Sequence, residues 1–386
     1  MIKRETPNAI ASNKIDELFS ISSRRPLEEG GAEIQTASEI ENYSKVLQGK
    51  GINGLISSST APQAMQIDAY THTGKIDSDG VAITIDEEAI GDISAQTFKV
   101  LIILLTALTA QLPHGDIIPA EAIQRGRIVK LSLEDYMSAC RIKDKKEARA
   151  QLNAAIKTIY AVSLAWDEQV YEKPEGKSRK VKITKHHRMR ITDHTITEAE
   201  GNPVRNGAAE IHVSFDMAEY LSNSYIMPYP DALLSINTHY HPYSIPLGWK
   251  LCALHNMNFG KSTQNKTTVE TLLRAAKGIP SYNRIASKGQ IYDRIVKPFD
   301  RDILALVEAG VLASYYYFDE EGKKVDTQAL GSLSYVEFSK LNIHYEMRDY
   351  PDQTPRIEEK SKRIRAAIRR NNAKKKAEET GEEGKT

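Results

Sequence analysis

Hydrophobic residues recur at helical spacing through the first half of the chain. The stretch that begins at Ser94, SAQTFKVLIILLTALTAQL, is apolar on nearly every face, which predicts a central core helix. Ser132, followed three residues later by Asp135, is typical of the start of a second helix. The next stretch, KDKKEARAQLNAAIKTIYA, predicts a third helix with its core positions at Ala148, Leu152, Ile156 and Ile159.

The pattern then changes to the alternation of β-strands. SLAWDEQVY predicts one strand, EKPEGKS a turn, and 181–191 a second strand with apolar and basic residues on opposite faces. The apolar face holds Val181, Ile183, Met189 and Ile191, and the other face holds Lys182, Thr184, His186, Arg188 and Arg190. This strand is expected to be half-buried with a basic outer face. AEIHVSF, at 209–215, predicts a third strand, and KIDSDGVAITIDE, around 76–90, a β-hairpin ahead of the helices.

The second half repeats this order more coarsely. Helices are predicted over 242–258 and 269–276, and a long helix over 283–310 that Pro298 bends and Gly310 ends. VLASYYYFDEEGKKVD then predicts a strand and a shorter hairpin turn. Three helices followed by a hairpin is the order of a winged helix, a helix-turn-helix with a β-hairpin appended. The predicted fold is therefore α+β, mainly helical, with two tandem winged-helix domains.

The chain divides into four predicted regions. Residues 1–75 are rich in Ser, Thr, Asn, Gly and Glu, which favours a flexible N-terminal arm with one short helix at 36–48. The first winged-helix domain is predicted over 76–225 and the second over 226–345. Residues 346–386 form a basic C-terminal tail, which is expected to be disordered until it meets a polyanion.

Charge is balanced over the whole chain but not along it. The 386 residues carry 52 Lys and Arg against 51 Asp and Glu, a formal net charge of +1. Residues 173–192 nevertheless hold eight Lys or Arg and two His against one Glu, and 360–376 hold nine basic residues and no acid. So many cations in one hairpin repel one another unless an anion relieves them. The distribution therefore predicts a polyanionic partner, and double-stranded DNA is the partner we expect.

The basic residues fall where a winged helix would contact duplex DNA. A recognition helix needs long polar side chains on its exposed face, and a wing needs cations that reach the flanking phosphates. The predicted helix contacts are Lys145, Lys146, Arg149, Asn153 and Lys157. The predicted wing contacts are Lys180, Lys182, Arg188 and Arg190. Arg149 and Asn153 are the residue types that pair bidentately with guanine and adenine edges.

Some of these residues have an alternative explanation. The helix cations are equally consistent with a solvated face stabilised by Glu–Lys pairs. In the second half Arg294, Lys297 and Arg301 are predicted DNA contacts, but the interleaved acids Asp293, Asp300 and Asp302 fit a surface ion-pair network nearly as well. The aromatic run SYYYF, at 314–318, is compatible with base stacking, although its period of two favours strand packing.

The sequence offers little for catalysis. It contains no P-loop, no GxGxxG, no zinc-finger spacing and no serine-hydrolase elbow, so no catalytic residue, cofactor or metal site is predicted. His239 and His241 have the spacing with which rolling-circle nicking enzymes bind a divalent metal. Pro242 follows at once and a helix begins, which is a poor match to two histidines that project from one strand.

Cysteine usage and the N-terminus indicate the compartment. Cys140 and Cys252 are too few for a disulfide framework, which favours buried thiols in a reducing cytosol. The N-terminal stretch lacks the apolar core of a secretory signal, and VLIILLTALTAQL is too short to span a bilayer. A cytoplasmic protein with no membrane partner is expected.

Three stretches resemble a known family. They are FKVLIILLTAL in the first predicted domain, VSFDMAEYL and YPDALLSINTHYHPYSIPLGWKLCALHNMN at the junction, and IYDRIVKPFDRDILALVEAGVL in the second. Over roughly 90–345 the chain resembles the two-winged-helix replication initiator (Rep) proteins of bacterial plasmids and mobile elements. The resemblance implies binding of direct repeats at an origin, recruitment of host replication proteins such as a helicase or its loader, and no catalytic site. It also implies that both wings and both recognition helices can touch DNA, and that a homodimer can repress its own promoter.

Two other functions fit the same residues. A dimeric winged-helix transcription regulator would use the same contacts at a promoter operator and would not sustain replication. A metal-dependent nicking enzyme would use His239 and His241 with a nucleophilic tyrosine such as Tyr292.

Overall fold

The structure, a computed structural model, describes residues 43–57, 66–68, 73–78, 81–86, 94–112, 118–172, 181–193, 204, 207–285 and 290–351. Lys180, the predicted tail beyond residue 351 and most of the predicted arm lie outside the described residues. The described part has a mixed α and β fold, in which strands take a larger share than the sequence suggested. Within it, no helix combines the length and the apolar character needed to cross a bilayer.

Helices and strands alternate along the described chain. The α-helices are α1 Lys50–Ser57, α2 Ala95–Gln111, α3 Ala120–Gly126, α4 Leu133–Cys140, α5 Lys145–Ala161, α6 Phe215–Ser222, α7 Ala232–Ser235, α8 Ser244–Met257, α9 Val269–Ala275, α10 Tyr282–Ile285, α11 Lys297–Glu308 and α12 Tyr335–Lys340. A π-helical segment, Tyr292–Val296, precedes α11, and a 3-10 helix, Thr327–Ser332, precedes α12. The strands are β1 Tyr43–Gln48, β2 Gln66–Asp68, β3 Thr73–Ser78, β4 Val81–Asp86, β5 Ile128–Ser132, β6 Val162–Glu172, β7 Val181–Arg190, β8 Ala208–His212, β9 Tyr225–Pro230, β10 Lys266–Thr268, β11 Leu312–Phe318, β12 Lys324–Val325 and β13 Asn342–Met347.

The three predicted helices of the first half are confirmed as α2, α4 and α5. Ser94 caps α2 with a capping box that Thr97 completes, and α2 is buried along most of its length because it lies at the centre of the core. Ser132 caps α4 by accepting a hydrogen bond from the backbone N–H of Asp135. The predicted inner face of α5 is fully buried, at Ala148, Leu152, Ile156 and Ile159. These side chains pack α5 against α2 and α4.

The connection between α2 and α4 holds more structure than its sequence suggested. Helix α3 and strand β5 lie in it, and β5 pairs antiparallel with β8, from Ile128 opposite His212 to Ser132 opposite Ala208. The predicted third strand is therefore shorter than 209–215: it ends at His212, and Phe215 is the first residue of α6. Ser214 ends the strand early because its hydroxyl caps that helix.

An antiparallel sheet, in the order β2-β3-β4-β6-β7, covers one side of the first half. The predicted hairpin is present as β3 and β4, and Val81, Ile83 and Ile85 are buried. Strand β4 pairs with β6 only as far as Trp166, whereas β6 and β7 continue pairing to Glu172 opposite Val181. Past Trp166, β7 is therefore the one described strand that pairs with β6. For this reason β7 is not half-buried throughout: its side chains are exposed from residue 182 to 186, and beyond that His187 and Met189 are partly buried while Arg188 and Arg190 stay exposed.

The described end of the predicted arm is packed rather than flexible. Residues 43–48 form strand β1, not the expected helix, and β1 pairs antiparallel with β9 from Tyr43 opposite Pro230 to Gln48 opposite Tyr225. Helix α1 follows at once. Val46, Leu47, Ile52 and Ile56 have no exposed surface. Their burial stabilises the segment, and it depends on a partner strand almost half the chain away, which local composition cannot reveal.

The second half is built on α8, α9 and α11 and on a sheet in the order β10-β13-β11-β12. The long helix expected over 283–310 is interrupted at Gln290, which is not helical, after α10 has ended at Ile285. From Ile291 a helical stretch continues through the π-helical segment into α11, which has Pro298 in its first turn. The predicted core positions Ile295, Phe299 and Ile303 are nevertheless fully buried. Gly310, with φ of 83°, follows the helix and adopts the left-handed conformation that glycine allows.

Candidate nucleic-acid interface

Helices α4 and α5 pack against each other and are joined by residues 141–144. Arg141 ends α4 in the left-handed conformation, with φ of 52°, and Asp144 caps α5 by accepting from the N–H of Glu147 at 2.8 Å. The hydroxyl of Tyr136 on α4 donates to Oε1 of Gln151 on α5 at 3.0 Å. These contacts and the buried inner face fix which side of α5 is presented to solvent.

The outer side of α5 carries the predicted cations. Lys145, Lys146 and Lys157 are exposed and Arg149 is half-buried. None of these four side chains forms a hydrogen bond or ion pair with another described residue. The alternative of a face stabilised by Glu–Lys pairs finds no support here, since Glu147 instead accepts from the Gln151 amide at 2.8 Å.

Asn153, a predicted DNA contact, also forms a hydrogen bond within the fold. Its Oδ1 accepts a hydrogen bond from the backbone N–H of Val204 at 3.0 Å. A bidentate contact with adenine needs both the carbonyl oxygen and the amide nitrogen of the side chain. Oδ1 can accept two hydrogen bonds, so a contact with adenine would share this oxygen with the backbone N–H of Val204.

The β6–β7 hairpin presents the second group of predicted cations. Lys182, Arg188 and Arg190 alternate on the outer face of the edge strand, are exposed, and have no side-chain partner among the described residues. His186 on the same face contacts Asp167 on β6 at 2.6 Å. His187 lies on the opposite face, where it stacks on Trp166 with ring centroids 4.9 Å apart. The alternation predicted from the sequence is therefore present.

A cleft lies at the base of this hairpin. Its volume is about 530 Å³, and it is lined by Ser163, Arg188, Met189, Arg190, Thr192, Asp193, Ser214, Phe215 and Asp216. Asp193 is engaged by Arg127, whose guanidinium also donates to the carbonyl of Val213 at 2.8 Å. The guanidinium groups of Arg188 and Arg190 are the donors of this cleft that can bind phosphate oxygens, and the carboxylate of Asp216 opposes such an anion.

The cations of the second half lie on a continuous stretch of helix. Arg294 is in the π-helical segment, Lys297 and Arg301 are on α11, and all three are exposed. Nε of Arg294 donates to Oε1 of Gln290 at 2.9 Å, and Nε of Arg301 donates to Oδ1 of Asp302 at 2.8 Å. Among the three, Lys297 has no side-chain partner within the described residues.

Two of the three interleaved acids, Asp300 and Asp302, bind groups inside the fold. Asp300 accepts from the hydroxyls of Tyr315 at 2.8 Å and Tyr317 at 2.9 Å. Asp302 is fully buried, accepts from the N–H of Tyr243 at 2.6 Å and pairs with Arg301. Burial raises the pKa of Asp302, and the bonds from Arg301 and Tyr243 oppose that rise. Asp300 therefore attaches α11 to strand β11, and Asp302 attaches it to the start of α8.

Two cations of the interface were missed in the sequence. Arg141 and Lys143 lie in the turn between α4 and α5 and are exposed. The run RIKDKK, at 141–146, was the available signal, because a turn that precedes a recognition helix is itself close to the DNA backbone. They extend the cationic surface of α5 beyond its N-terminus.

The two spaced histidines lie in a turn ahead of α8. His239 is exposed, and Nδ1 of His241 is 3.5 Å from Oδ1 of the buried Asp302. The hydroxyl of Ser244 donates to the carbonyl of His241 at 2.8 Å. In the described part of the chain, no group of three or more His, Cys, Asp and Glu side chains is arranged to hold a metal ion.

Comparisons with known proteins give little to add. No protein-family model and no curated protein matches the chain. Among solved structures it is similar to a crystal structure of selenomethionine derivatives of domains 2 and 3 of RctB, with 15% identity, a TM-score of 0.38, and coverage of 76% of this chain and 97% of that one. A second crystal structure of RctB domains 2–3 gives 14% identity, a TM-score of 0.34, and coverage of 76% and 96%. At such TM-scores the likeness carries no argument about the function of this chain.

Proposed function

We propose that this chain is a sequence-specific DNA-binding replication initiator, which binds repeats at an origin and recruits replication proteins. The observation that carries the proposal is the pair of basic surfaces on α5 and β7. On these surfaces the predicted cationic contacts of α5, and Lys182, Arg188 and Arg190 of β7, have no side-chain partner among the described residues. All of them are exposed except Arg149, which is half-buried. Unpaired cations that cluster on successive elements are best explained by a polyanion that neutralises them.

The order of the elements supports a winged-helix mode of binding. A helix-turn-helix is followed directly by the β6–β7 hairpin, since α5 ends at Ala161 and β6 begins at Val162. In this mode α5 enters the major groove with Arg149 toward the base edges, while the hairpin cations contact flanking phosphates. The second half has the same order of helices followed by a hairpin: α8, α9 and α11 precede the hairpin of β11 and β12. This hairpin belongs to the sheet in which β13 lies between β10 and β11. Arg294, Lys297 and Arg301 would be its weaker contacts.

The initiator role, as distinct from general DNA binding, rests on the sequence resemblance. The resembling stretches fall in the core helices α2, α8 and α11, which position the proposed DNA-reading surfaces in both halves. In this proposal the chain has no catalytic centre: it opens DNA by binding and recruits a host helicase or its loader. A homodimer that represses the chain's own promoter belongs to the same proposal.

Footprinting on the DNA around the chain's own gene, over a series of salt concentrations, tests the proposal. Protection of several evenly spaced direct repeats is the expected result. Protection of one inverted repeat at the promoter would identify a transcription regulator instead. Salt-sensitive binding without any footprint would refute sequence-specific recognition.

The non-enzymatic part of the proposal has its own test. Supercoiled origin DNA is incubated with the protein and Mg²⁺ or Mn²⁺, beside a His241→Ala variant. We expect neither protein to produce relaxed circles or a covalent adduct. Relaxation by the wild type that His241→Ala abolishes would establish a nicking enzyme.

A further inference from the structure

The aromatic run SYYYF presents two different faces. The hydroxyls of Tyr315 and Tyr317 point inward to Asp300, and Tyr317 is almost fully buried. Tyr316 points the other way and is 45% exposed. Strand packing, which the period of two suggested, explains the inward tyrosines and leaves Tyr316 without a structural role.

The outer face of this sheet gathers aromatic rings. Tyr316 on β11 is opposite His344 on β13, and Phe318 is opposite Asn342, so these side chains share one face. The rings of Phe318 and His344 are 4.1 Å apart between centroids and inclined by 30°. Burial and the charge of Lys266 lower the pKa of His344, which favours the neutral ring at pH 7. Phe318 and His344 are half-buried, so the ring surface beside Tyr316 is partly open to solvent.

Two lysines flank the rings on this face. Lys266 on β10 is opposite His344, and Lys324 on β12 is opposite Phe318; both are exposed. Nζ of Lys324 lies 3.7 Å from the centroid of the Tyr316 ring. Among the described residues of these strands, Glu346 is the acidic residue on this face, and it lies at the edge of the face. In the adjoining hairpin turn, Glu320 is paired with Lys340 at 3.1 Å, and Glu321 is exposed.

We propose that this face, formed by Tyr316, Phe318, His344, Lys266 and Lys324, binds single-stranded nucleic acid. Proteins bind unpaired strands by stacking bases on exposed aromatic rings while cations follow the phosphates. Bases in a duplex are stacked on one another and cannot reach such rings. The lysine over Tyr316 has a flexible stem, so its ammonium group can move from the ring to a phosphate when a base arrives. The inference goes beyond the proposed duplex binding, because it uses other residues and another form of the ligand.

Fluorescence anisotropy with a labelled oligo-dT of about 20 nucleotides, an oligo-rU of the same length and a matched duplex tests this surface. Tyr316→Ala is expected to weaken binding of the single strand at least about fivefold, and Phe318→Ala similarly, because a stacked base contributes roughly that factor or more. Duplex affinity should stay within about twofold. Tyr316→Phe retains the ring and should bind like the wild type.

Tyr240→Ala is the matched control, since Tyr240 is 64% exposed on the turn before α8 and lies outside this face. Photocrosslinking to iododeoxyuridine in the oligo-dT should label Tyr316 or Phe318. Unchanged single-strand affinity in Tyr316→Ala and Phe318→Ala, or an equal loss for single strand and duplex, would overturn the inference. Single-strand binding that depends on Tyr316, in a protein that binds no duplex, would refute the proposed function and leave this inference standing.

Discussion

The hairpin cations allow a quantitative test of how the protein meets DNA. Replacing Lys182, Arg188 and Arg190 by alanine removes three exposed charges that have no side-chain partner among the described residues. The free energy of unfolding should change by less than about 0.5 kcal/mol for each, because surface substitutions of this kind remove no packing and no buried bond. Any loss of affinity can then be attributed to the contact with DNA.

The size of the effect follows from counterion release. Each phosphate neutralised by a cation contributes about 0.9 to the slope of log K against log salt concentration. Loss of all three contacts should therefore reduce the slope by about 2.7. Between 50 and 200 mM salt, roughly a fourfold range, each lost contact changes the salt-induced fall in affinity by a factor of about 3.5, and three change it by a factor of about 40.

The assay is equilibrium binding to a specific and a scrambled duplex at four or more salt concentrations. The three single variants and the triple variant should bind the specific and the scrambled duplex more weakly by the same factor, since phosphate contacts carry no sequence information. Arg274→Ala is the control, because Arg274 is exposed but already pairs with Glu270 at 2.5 Å. A triple variant with the wild-type slope would show that the hairpin does not contact phosphates, and a loss confined to the specific duplex would show that it reads bases.

Three further predictions concern recognition, packing and pH. Arg149→Ala should reduce discrimination between the specific duplex and a single-base mismatch by about 1–3 kcal/mol, measured by competition binding. Leu152→Ala, at a fully buried site, should lower the free energy of unfolding by about 2–5 kcal/mol in denaturant titrations, while the exposed Lys157→Ala on the same helix should change it little. Burial raises the pKa of Asp231 to about 6. The free energy of unfolding should therefore fall as pH rises from about 4 to 6, because ionised Asp231 is less stable in the folded protein than in the unfolded chain. Asp231→Asn should therefore raise the free energy of unfolding at pH 7.5 by up to about 3 kcal/mol and have little effect near pH 3.5.

The sequence predicted those helices and strands whose pattern of apolar residues or capping residue lies within the element itself. Helix α2 has apolar residues on nearly all faces, α4 has its cap at Ser132, and α5 has a clear inner and outer face. In β7, alternation alone placed His186 and His187 on opposite faces. In each case the residues that determine the element lie within it, so no distant partner has to be known.

What the sequence could not show depends on distant partners. Strand β1 forms because β9 pairs with it, so residues 43–48 of the predicted arm belong to a sheet. The hydrogen bond from the N–H of Val204 to Oδ1 of Asn153, a predicted DNA contact, could not be inferred from the sequence. Asp300 and Asp302 were indistinguishable from surface acids until the tyrosines and backbone that they bind were located. Residue type and period describe one element, whereas these roles arise between elements.

The N-terminal segment also has a consequence for DNA recognition. Nζ of Lys50 donates to the carbonyl of Asp167 on β6 at 2.8 Å, and Nε1 of Trp249 on α8 donates to Oδ1 of Asn53 at 2.9 Å. A Cβ atom on Gly51 would lie 2.7 Å from Trp166, so the contact with the first half leaves no room for a larger residue. Segment 43–57 thus binds both halves of the molecule at once. If both halves bind DNA as proposed, this segment fixes the distance between their DNA-binding surfaces. Because duplex DNA repeats about every 10.5 base pairs, the bases that the two surfaces contact would then have to lie at one spacing.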